Sequence, residues 1–475
     1  MRIWRGPFMG GQFGHRSMNN ADTPSFDFVQ QVRRNADDGE CLIWNDRPET
    51  QSDFIKHVDR CRDRLLEEGF KPGDVAILIG DYSPHAVSML IAMIEFRLII
   101  VPATRESQEQ LLSLSTTVKP NWIVTAFDDD LIFEQCPPAA GVHTFYSQLR
   151  KQDKSGLVLL TSGSTGSPKV VVHDLSKLLA KFETTHTAVR TINFLMFDHW
   201  GGLNTLFHCL ASKSAVVFPT GRQPDYICSL IEKHAVQLLP ATPTFLNMLL
   251  LSRAFEKFNL SSLKLITYGA EPMPESTLSA LRKHFPCVEL RQTYGLIELG
   301  VLQAKSASSD SLWVKIGGKG YDVRVVDGIL QIKADSAMLG YLNAPSPFTD
   351  DGYFITGDRV ERSGAYFRIL GRDSELINVG GQKVFPAEVE TVLLEHSAVD
   401  DAVVFGEQNA ILGKIVCATV RVIDTSPSAA IKTDIARYCR ERLEKYKVPV
   451  KIQLTAEPLH RDRFKRVRRQ EADEV

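Results

Sequence analysis

The sequence has few cysteines, almost no net charge and no long apolar run. Its eight cysteines stand singly, without a Cys-x-x-Cys pair, so we expect reduced buried thiols and neither a zinc knuckle nor a disulfide framework. The net charge of -2 gives no bulk electrostatic reason to expect a nucleic acid or an anionic membrane as partner. The longest apolar stretch, 89–103, contains Glu95 and Arg97 and is too short for a membrane span. The glycine-rich residues 1–20 lack the apolar core of a secretory leader, which favours a cytoplasmic protein.

The order of apolar and polar stretches predicts an α/β protein with two domains. Helical and strand-like segments alternate over roughly the first 310 residues, as they do in α/β proteins with parallel sheets. Short strands with Gly and Asp turns follow over 313–334 and predict an antiparallel β subdomain. A compact α+β unit begins after a break at 371–374. We therefore expect a large N-terminal domain over 1–371 and a small C-terminal domain over 372–475.

The most informative segment is LLTSGSTGSPKVVVH, residues 159–173. The apolar residues at 157–160 predict a buried strand and the β-branched residues after the loop predict a second one, so the segment is a strand–loop–strand hairpin. Glycines leave backbone N–H groups open and hydroxyls add donors, which together form a cradle for phosphate oxygens. The spacing does not match a Walker A loop, because two residues separate Gly166 from Lys169. The segment therefore predicts binding of ATP phosphates, with an ordinary Ser/Gly turn as the alternative.

Two acidic residues lie in motifs that could bind other parts of a nucleotide. Glu298 follows Tyr294 in QTYGLIELG and could bind Mg²⁺, which prefers one or two carboxylates together with phosphate oxygens. Asp358 lies in a predicted Thr-Gly-Asp turn at the end of a strand, where it could accept both hydroxyls of a ribose. Taken alone, Glu298 would more often be an exposed residue at a helix start, and Asp358 an ordinary turn aspartate.

Two further motifs lie towards the C-terminus. In FRILGRDSELINVGGQKVFPAEVE, Gly380 and Gly381 predict a flexible loop ahead of a helix that Pro386 opens, the alternative being a hairpin and a helix start. In RDRFKRVRR, residues 461–469, six of nine residues are basic. Such a run is usually a solvated tail or a weak nucleic-acid patch, whereas here one lysine could face a developing phosphate charge.

These motifs in this order resemble the adenylate-forming (ANL) superfamily, which contains acyl- and aryl-CoA synthetases, adenylation domains of peptide synthetases, and luciferases. The resemblance covers about residues 24–470 and is most specific in TSGSTGSPKVVVH, YGLIE, TGD and GR…GGQKVFPAEVE. It implies a mobile C-terminal domain and an acyl- or aryl-CoA ligase that uses ATP, Mg²⁺ and coenzyme A on a small carboxylic acid. Two alternatives stay open: delivery to the phosphopantetheine of an acyl carrier protein, and a catalytically silent nucleotide-binding protein.

The resemblance also implies roles for individual residues, with Tyr294 stacking on the adenine, Glu298 holding Mg²⁺ and Lys465 bridging the substrate carboxylate and the α-phosphate. The catalytic set would be Lys465, Thr161, Glu298 and His199. The nucleotide would be bound by Thr161, Ser162, Gly163, Ser164, Thr165, Gly166, Lys169, Gly269, Ala270, Glu271, Pro272, Tyr294, Asp358 and Arg372. The acid pocket would contain His199, Tyr268, Gly269 and Gly295. The hinge would be Ser374, and the thiol or pantetheine loop would contain Gly380, Gly381 and Lys383.

Three positions depart from the family's pattern. Ile297 stands where threonine is usual, Phe464 replaces a glycine beside Lys465, and Ser374 occupies the hinge where aspartate or lysine is common. Lys447 is the rival to Lys465 as the catalytic lysine. Neither Ile297 nor Ser374 removes a group that the chemistry requires, although either could slow it, and Phe464 implies that the loop around Lys465 differs locally from the family's.

Overall fold

The computed structural model describes residues 26–127, 130–139, 141–161, 168–184, 187–422, 428–457 and 459. The first part of the chain contains, in order, α1 (Phe28–Arg34), β1 (Glu40–Trp44), β2 (Arg47–Thr50), α2 (Gln51–Glu68), β3 (Val75–Gly80), α3 (Pro84–Glu95), β4 (Ile99–Ala103), α4 (Arg105–Ser113), α5 (Ser115–Val118), β5 (Trp122–Phe127), β6 (Asp130–Gln135) and α6 (Thr144–Lys151). The second part contains β7 (Gly156–Thr161), β8 (Lys169–Asp174), α7 (Leu175–Leu179), β9 (Thr191–Ile192), α8 (Trp200–Ala211), β10 (Val216–Phe218), α9 (Pro224–His234), β11 (Leu238–Ala241), α10 (Pro243–Ser252), β12 (Leu265–Tyr268), α11 (Glu275–His284), β13 (Glu289–Gln292), β14 (Tyr294–Leu296) and β15 (Gly300–Leu302).

The third part consists of short strands, and the fourth mixes strands with helices. The third contains β16 (Ala304–Ser306), β17 (Val314–Ile316), β18 (Tyr321–Val326), β19 (Ile329–Ala334), β20 (Gly340–Tyr341), β21 (Phe354–Ser363) and β22 (Tyr366–Arg372). The fourth contains β23 (Ile377–Val379), β24 (Gln382–Val384), α12 (Pro386–Leu394), β25 (Val399–Asn409), β26 (Gly413–Val422), α13 (Ala429–Arg442) and β27 (Lys451–Thr455). Single 3₁₀ turns lie at Ala180–Glu183, Ala254–Glu256 and Asp373–Glu375.

Helix α2 shows how local sequence specifies these elements. Apolar residues recur at helical spacing, and its buried face contains Phe54, Val58, Cys61 and Leu65. The side chain of Thr50 caps the first turn by accepting a hydrogen bond from the Asp53 N–H. Gly69 ends the helix in the left-handed conformation, with φ of 88°, which glycine adopts without strain. The buried face and both ends of α2 therefore follow from its own sequence.

Two mixed sheets form the centre of the large domain. One has the strand order β13-β12-β11-β9-β10-β1-β2 and is parallel except at the β1–β2 edge. The other has the order β20-β8-β7-β4-β3-β5-β6 and is parallel only from β7 to β5. Side chains from α2, α3 and α8 share one apolar cluster with side chains of β1, β3 and β10. The predicted parallel α/β sheet is thus confirmed in its interior, with antiparallel strands at its edges.

The predicted antiparallel subdomain and C-terminal unit are also present. The strands β16-β17-β22-β21-β19-β18 form an antiparallel sheet. In the C-terminal unit, β24-β23-β26-β25 pair in that order, with β27 parallel to β26, and α12 and α13 complete a separate apolar cluster. This gives the expected large domain of sheets and a smaller α+β domain, while the boundary at 371–374 stays a prediction.

Two local predictions need correction. Asp358 does not end a strand, because β21 continues through it as far as Ser363. Gly380 and Gly381 do not form a loose loop: with φ of 56° and 88° they make a tight turn between β23 and β24, the geometry that two-residue hairpins require.

The remaining expectations concern thiols and membranes. All eight cysteines are free; Cys287 is exposed, Cys136 is partly exposed, and the others are buried. Among the described residues, no helix has both the length and the apolar character that a membrane crossing needs.

Candidate active site

A buried carboxylate joins two of the predicted nucleotide-binding motifs. Asp358 accepts a hydrogen bond at 2.5 Å from the hydroxyl of Tyr294 through Oδ2. Its Oδ1 lies 2.7 Å from Nε of Arg372, whose Nη1 donates to the carbonyl of Thr356 at 3.0 Å. The Asp358 side chain is 8% exposed, whereas that of Arg372 is 46% exposed. The structure therefore places Tyr294, Asp358 and Arg372 together, and their predicted roles at the adenine and the ribose stay predictions.

Strand pairing explains this arrangement. In the β21–β22 register, Asp358 lies directly opposite Arg372. Gly357 has φ of 74°, and the register shifts between Arg359 and Val360, so β21 is irregular just where the carboxylate is presented. The Thr356 hydroxyl accepts from the Asp358 N–H at 3.0 Å and fixes the backbone before the carboxylate.

The electrostatics of the three groups depend on burial and on each other. Burial raises the pKa of Asp358, while the charge of Arg372 and the hydrogen bond from Tyr294 lower it. Burial, reinforced by the neighbouring carboxylate, holds the pKa of Tyr294 well above its usual range, so the phenol keeps its proton and donates. Burial, the largest single effect, lowers the pKa of Arg372, but Asp358, Tyr294, Glu298 and Glu375 together outweigh it, so the pKa of the guanidinium is raised. The site can therefore present an oriented carboxylate acceptor beside a permanent cation.

Glu298 lies in the turn between β14 and β15, not at a helix start. Its Oε1 accepts a hydrogen bond from the hydroxyl of Tyr341 at 2.8 Å, and its carbonyl accepts from the Met338 N–H at 2.8 Å. The Nζ of Lys169 lies 5.2 Å from the centre of the Tyr341 ring, within the range of a cation–π contact. The Glu298 charge also contributes to raising the pKa of Asp358. The predicted metal ligand, the exit of the phosphate hairpin and the ribose carboxylate are thus neighbours.

The surroundings of Glu298 fit a magnesium ion that is held mainly by its nucleotide. The described residues contain no group of three or more His, Cys, Asp or Glu side chains that could hold a metal by itself. Mg²⁺ in phosphate-transfer sites is commonly bound through one or two carboxylates together with phosphate oxygens and water. One partly exposed carboxylate beside the hairpin is consistent with that mode.

The segment 269–272 is shaped by close packing against Thr293, which follows β13, and against α10. A side chain at Gly269 would lie 2.4 Å from the Thr293 hydroxyl, so only glycine fits there, and Ala270 has φ of 70°. Glu271 accepts hydrogen bonds from the hydroxyl and the N–H of Thr244 at 2.6 and 3.2 Å. These contacts hold the turn in place with Pro272 exposed, and its role in binding the adenine stays a prediction.

The residues predicted to line the acid pocket come from three separate parts of the chain. His199 is partly exposed and immediately precedes α8. Tyr268 ends β12, is almost fully buried, and has its pKa raised to about 12 by burial. A side chain at Gly295 would lie 2.7 Å from the carbonyl of Gly300, so the β14–β15 hairpin requires glycine there.

Sequence reasoning assigned no role to His173, Tyr341 or Asn343. His173 is fully buried, its Nε2 lies 2.7 Å from the Ile297 carbonyl, and burial lowers its pKa to about 4, so the imidazole is neutral. The side-chain oxygen of Asn343 accepts from the Val170 N–H at 2.9 Å, and its amide donates to the carbonyl of Pro168. The sequence offered one signal for His173, because this histidine ends the hairpin motif. No sequence signal pointed to Tyr341 or Asn343.

The C-terminal predictions are described only in part. Ser374 is exposed in the 3₁₀ turn between β22 and β23, and Lys383 is exposed after the Gly380–Gly381 turn. Lys447 lies 2.5 Å from Glu388 and 2.7 Å from Glu444, which weakens its case as the catalytic lysine because it is already paired. The predicted phosphate-binding residues Ser162, Gly163, Ser164, Thr165 and Gly166, and also Phe464 and Lys465, lie outside the described residues.

Among curated proteins, two relatives illustrate the similarity. The 2-succinylbenzoate–CoA ligase of Bacillus subtilis (strain 168) is 27% identical over 459 residues, covering 86% of this chain and 90% of that protein. Acyl-CoA synthetase 7 of Caenorhabditis elegans is 29% identical over 356 residues, covering 66% of this chain and 65% of that protein. Among solved structures, the anthranilate CoA ligase AuaEII in complex with anthranoyl-AMP matches with a TM-score of 0.76 at 19% identity, over 93% of this chain and 95% of that chain.

Family models give the most direct assignment. The model described as AMP-binding enzyme matches residues 28–342, which is more than half of the chain and includes the phosphate hairpin and Glu298. The model described as AMP-binding enzyme C-terminal domain matches residues 388–463. The chain therefore belongs to the AMP-binding enzyme family and, through it, to the ANL superfamily of adenylate-forming enzymes.

Proposed function

We propose that this chain is an AMP-forming acid–thiol ligase that activates a carboxylic acid with ATP and transfers the acyl group to coenzyme A. The observation that carries the proposal is the meeting of two clusters from four distant segments. One consists of Tyr294, Asp358 and Arg372; the other joins Lys169 to Glu298 through Tyr341. Together they offer a diol acceptor, a cation and a metal-binding carboxylate beside a phosphate loop.

The chemistry explains why such a site is needed. A carboxylate is a poor acylating agent because its leaving group would be oxide. Attack of the carboxylate oxygen on the α-phosphorus of ATP forms the acyl–O–P bond, breaks the bond to the β-phosphate oxygen, and releases pyrophosphate. The two reactants are both anions, so their approach requires positive charge aimed at the transition state. We assign that charge to Lys465, and Mg²⁺ held at Glu298 would add Lewis-acid stabilisation of the phosphate oxygens.

The described residues mainly bind and orient the nucleotide. Asp358 would accept the ribose hydroxyls, with Tyr294 and Arg372 fixing its orientation and charge state. The turn at 269–272 would hold the adenine, and the loop after Thr161 would hold the phosphates. Precise placement of the α-phosphorus against the acid lowers the barrier by removing the entropic cost of bringing two molecules together.

In the second half-reaction a thiol attacks the acyl carbon, the acyl–O bond to AMP breaks, and a thioester and AMP form. We propose that the C-terminal domain first turns about Ser374, which removes Lys465 and brings the Gly380–Gly381 turn to the thiol, a hinge motion. The names of the relatives above favour coenzyme A as acceptor and an aryl or acyl acid as substrate. A carrier-protein phosphopantetheine is the alternative acceptor, and the cytoplasm is the proposed compartment.

Pyrophosphate exchange tests the first half-reaction. With an acid panel, ATP and Mg²⁺, we expect acid-dependent exchange of label between pyrophosphate and ATP, and AMP as the nucleotide product once a thiol is added. Formation of ADP and phosphate would contradict the proposal, and ATP binding without exchange with any acid would favour the silent nucleotide-binding alternative. Offering coenzyme A and a phosphopantetheinylated carrier separately then identifies the acceptor.

A further inference from the structure

Tyr341 lies between the turn that contains Glu298 and the exit of the phosphate hairpin. Its hydroxyl donates to Oε1 of Glu298 at 2.8 Å, and its ring centre lies 5.2 Å from Nζ of Lys169. Tyr341 is buried, whereas Glu298 and Lys169 are both partly exposed. One buried side chain therefore contacts two charged residues that solvent reaches.

Strand pairing fixes the backbone of Tyr341. In β20, Tyr341 pairs with Val171 of β8, the strand that begins at Lys169. On either side of β20, backbone N–H groups of the same segment donate to carbonyls of β8 at 2.8 Å. The tyrosine ring and the lysine are therefore held by the same pair of strands.

The backbone around Glu298 is held independently of the Tyr341 hydroxyl. The Glu298 carbonyl accepts from the Met338 N–H at 2.8 Å, and the Ile297 carbonyl lies 2.7 Å from Nε2 of His173. Of the residues that the structure describes, only Tyr341 donates to the Glu298 carboxylate. Removing the hydroxyl should therefore release the carboxylate without moving the turn that presents it.

We propose that Tyr341 is a positioning residue of the adenylation site, whose hydroxyl orients Glu298 for Mg²⁺ and whose ring places Lys169 beside the phosphates. The inference rests on the proposed function, because it concerns the binding of ATP and Mg²⁺ in the adenylation step. A phenol is protonated at neutral pH, so it donates to Oε1 and leaves Oε2 to a metal ion. Carboxylates that bind metals are commonly held by such outer hydrogen bonds, and losing one reduces metal affinity or activity about 10- to 100-fold. The aromatic face attracts the lysine ammonium, which would otherwise extend into solvent.

Two substitutions separate the hydroxyl from the ring. Tyr341→Phe removes the hydroxyl and keeps the ring, whereas Tyr341→Leu removes both. Calorimetric titration of ATP into the full chain, at a series of Mg²⁺ concentrations, measures their effects without turnover. We expect Tyr341→Phe to need about 10- to 100-fold more Mg²⁺ for half of the metal-dependent gain in ATP affinity, with the metal-free affinity unchanged. Tyr341→Leu should need as much Mg²⁺ and also bind metal-free ATP about two- to five-fold more weakly, because the contact with Lys169 is lost.

Tyr446→Phe is the matched control. It removes a tyrosine hydroxyl that donates to Glu444 at 2.7 Å on the surface of the C-terminal domain, so the Mg²⁺ dependence should stay that of the wild type. Thermal unfolding checks that the Tyr341 variants fold. An unchanged Mg²⁺ dependence in Tyr341→Phe would overturn the inference, and so would a loss of ATP affinity in that variant that is equal with and without Mg²⁺.

A failure of the proposed function would be recognised separately. Pyrophosphate exchange requires an acid, whereas the binding of ATP with Mg²⁺ does not. If no acid supports exchange but Tyr341→Phe still shifts the Mg²⁺ dependence of ATP binding, the positioning role stands and the ligase proposal fails. A wild-type protein whose ATP affinity does not respond to Mg²⁺ would overturn the inference, whatever the exchange assay shows.

Discussion

The hydroxyl of Tyr294 donates to the carboxylate of Asp358 at 2.5 Å, across 64 residues of sequence. Both groups are buried, and Arg372 holds the other carboxylate oxygen at 2.7 Å. The acceptor assigned to the ribose is therefore oriented by a phenol from one motif and a guanidinium from another. The consequences can be tested one residue at a time.

Replacing Asp358 by Asn should raise the KM for ATP about ten- to a hundred-fold, because hydrogen bonds to a charged group contribute about 1.5–3 kcal/mol. The change would be measured as the ATP dependence of pyrophosphate exchange, with thermal unfolding as a check on the fold. Asp351→Asn is the matched control, since Asp351 pairs with Arg324 on the surface of the same subdomain. An unchanged KM in Asp358→Asn would mean that the carboxylate has only a structural role.

Tyr294→Phe should make ATP binding more sensitive to acid. The phenol lowers the pKa of Asp358 by hydrogen bonding to its ionised form, so its removal raises that pKa. Since the ionised carboxylate is the acceptor, affinity for ATP should fall as pH decreases, and the fall should begin at a higher pH in the variant. The KM for ATP against pH is the measurement. Tyr353→Phe, which removes an exposed tyrosine hydroxyl bonded to Asp322, should leave the profile unchanged.

Lys465→Ala should impair formation of the adenylate and spare its use. Removing a donor aimed at transition-state charge costs about 10²–10³ in rate. Pyrophosphate exchange should fall by that factor, while chemically made acyl-AMP should still give thioester at nearly the wild-type rate. Lys447→Ala should instead mainly lower thermal stability, because it breaks the pairs with Glu388 and Glu444. Equal damage to both half-reactions in Lys465→Ala would argue against domain alternation.

Ser374→Pro should have the opposite effect. Proline restricts its own φ and the conformation of the residue before it, which would block rotation in the exposed turn Asp373–Glu375. Exchange should persist, but the release of thioester should be slow. Ser374→Ala, which leaves the backbone free, is the control, and a normal rate of thioester formation in the proline variant would place the hinge elsewhere.

Glu49 should make the protein less stable as pH rises. Its Oε1 lies 2.5 Å from Nδ1 of His57, and burial raises its pKa from 4.5 to about 7, with Asp53 adding to the shift and His85 opposing it. Between these two values the folded state holds more protons than the unfolded state, so the free energy of unfolding falls as pH increases through that window. Burial also lowers the pKa of His57, which favours a neutral pair.

Glu49→Gln should therefore differ little from the wild type at pH 4.5 and become relatively more stable up to about pH 7. Thermal unfolding across this range is the measurement, with the exposed Glu67→Gln as control. A wild type that stays more stable than Glu49→Gln at pH 8 would show that an ion pair with His57 outweighs the cost of burying the charge.

Several elements follow from local sequence alone. The hairpin of β7 and β8 follows from a buried apolar run, a Ser/Gly loop and a β-branched run, and α2 follows from its apolar spacing with Thr50 and Gly69 at its ends. Chain order and motif spacing were also enough to predict the family that the family models confirm. These features depend on neighbours within a few residues, or on the linear order of motifs, and both can be read from a sequence.

The tertiary structure decided which side chains meet. Tyr341 reaches Glu298 across 43 residues, and Asn343 reaches Val170 across 173, and no local pattern identifies either partner. Sheet register decided that Asp358 lies opposite Arg372 inside a continuous strand, where the sequence predicted a turn. The sequence by itself determined the type of element and the chemistry available in each motif. Pairing between distant strands and the exclusion of water, which only the packed chain produces, decided the contacts and pKa shifts that make these motifs one site.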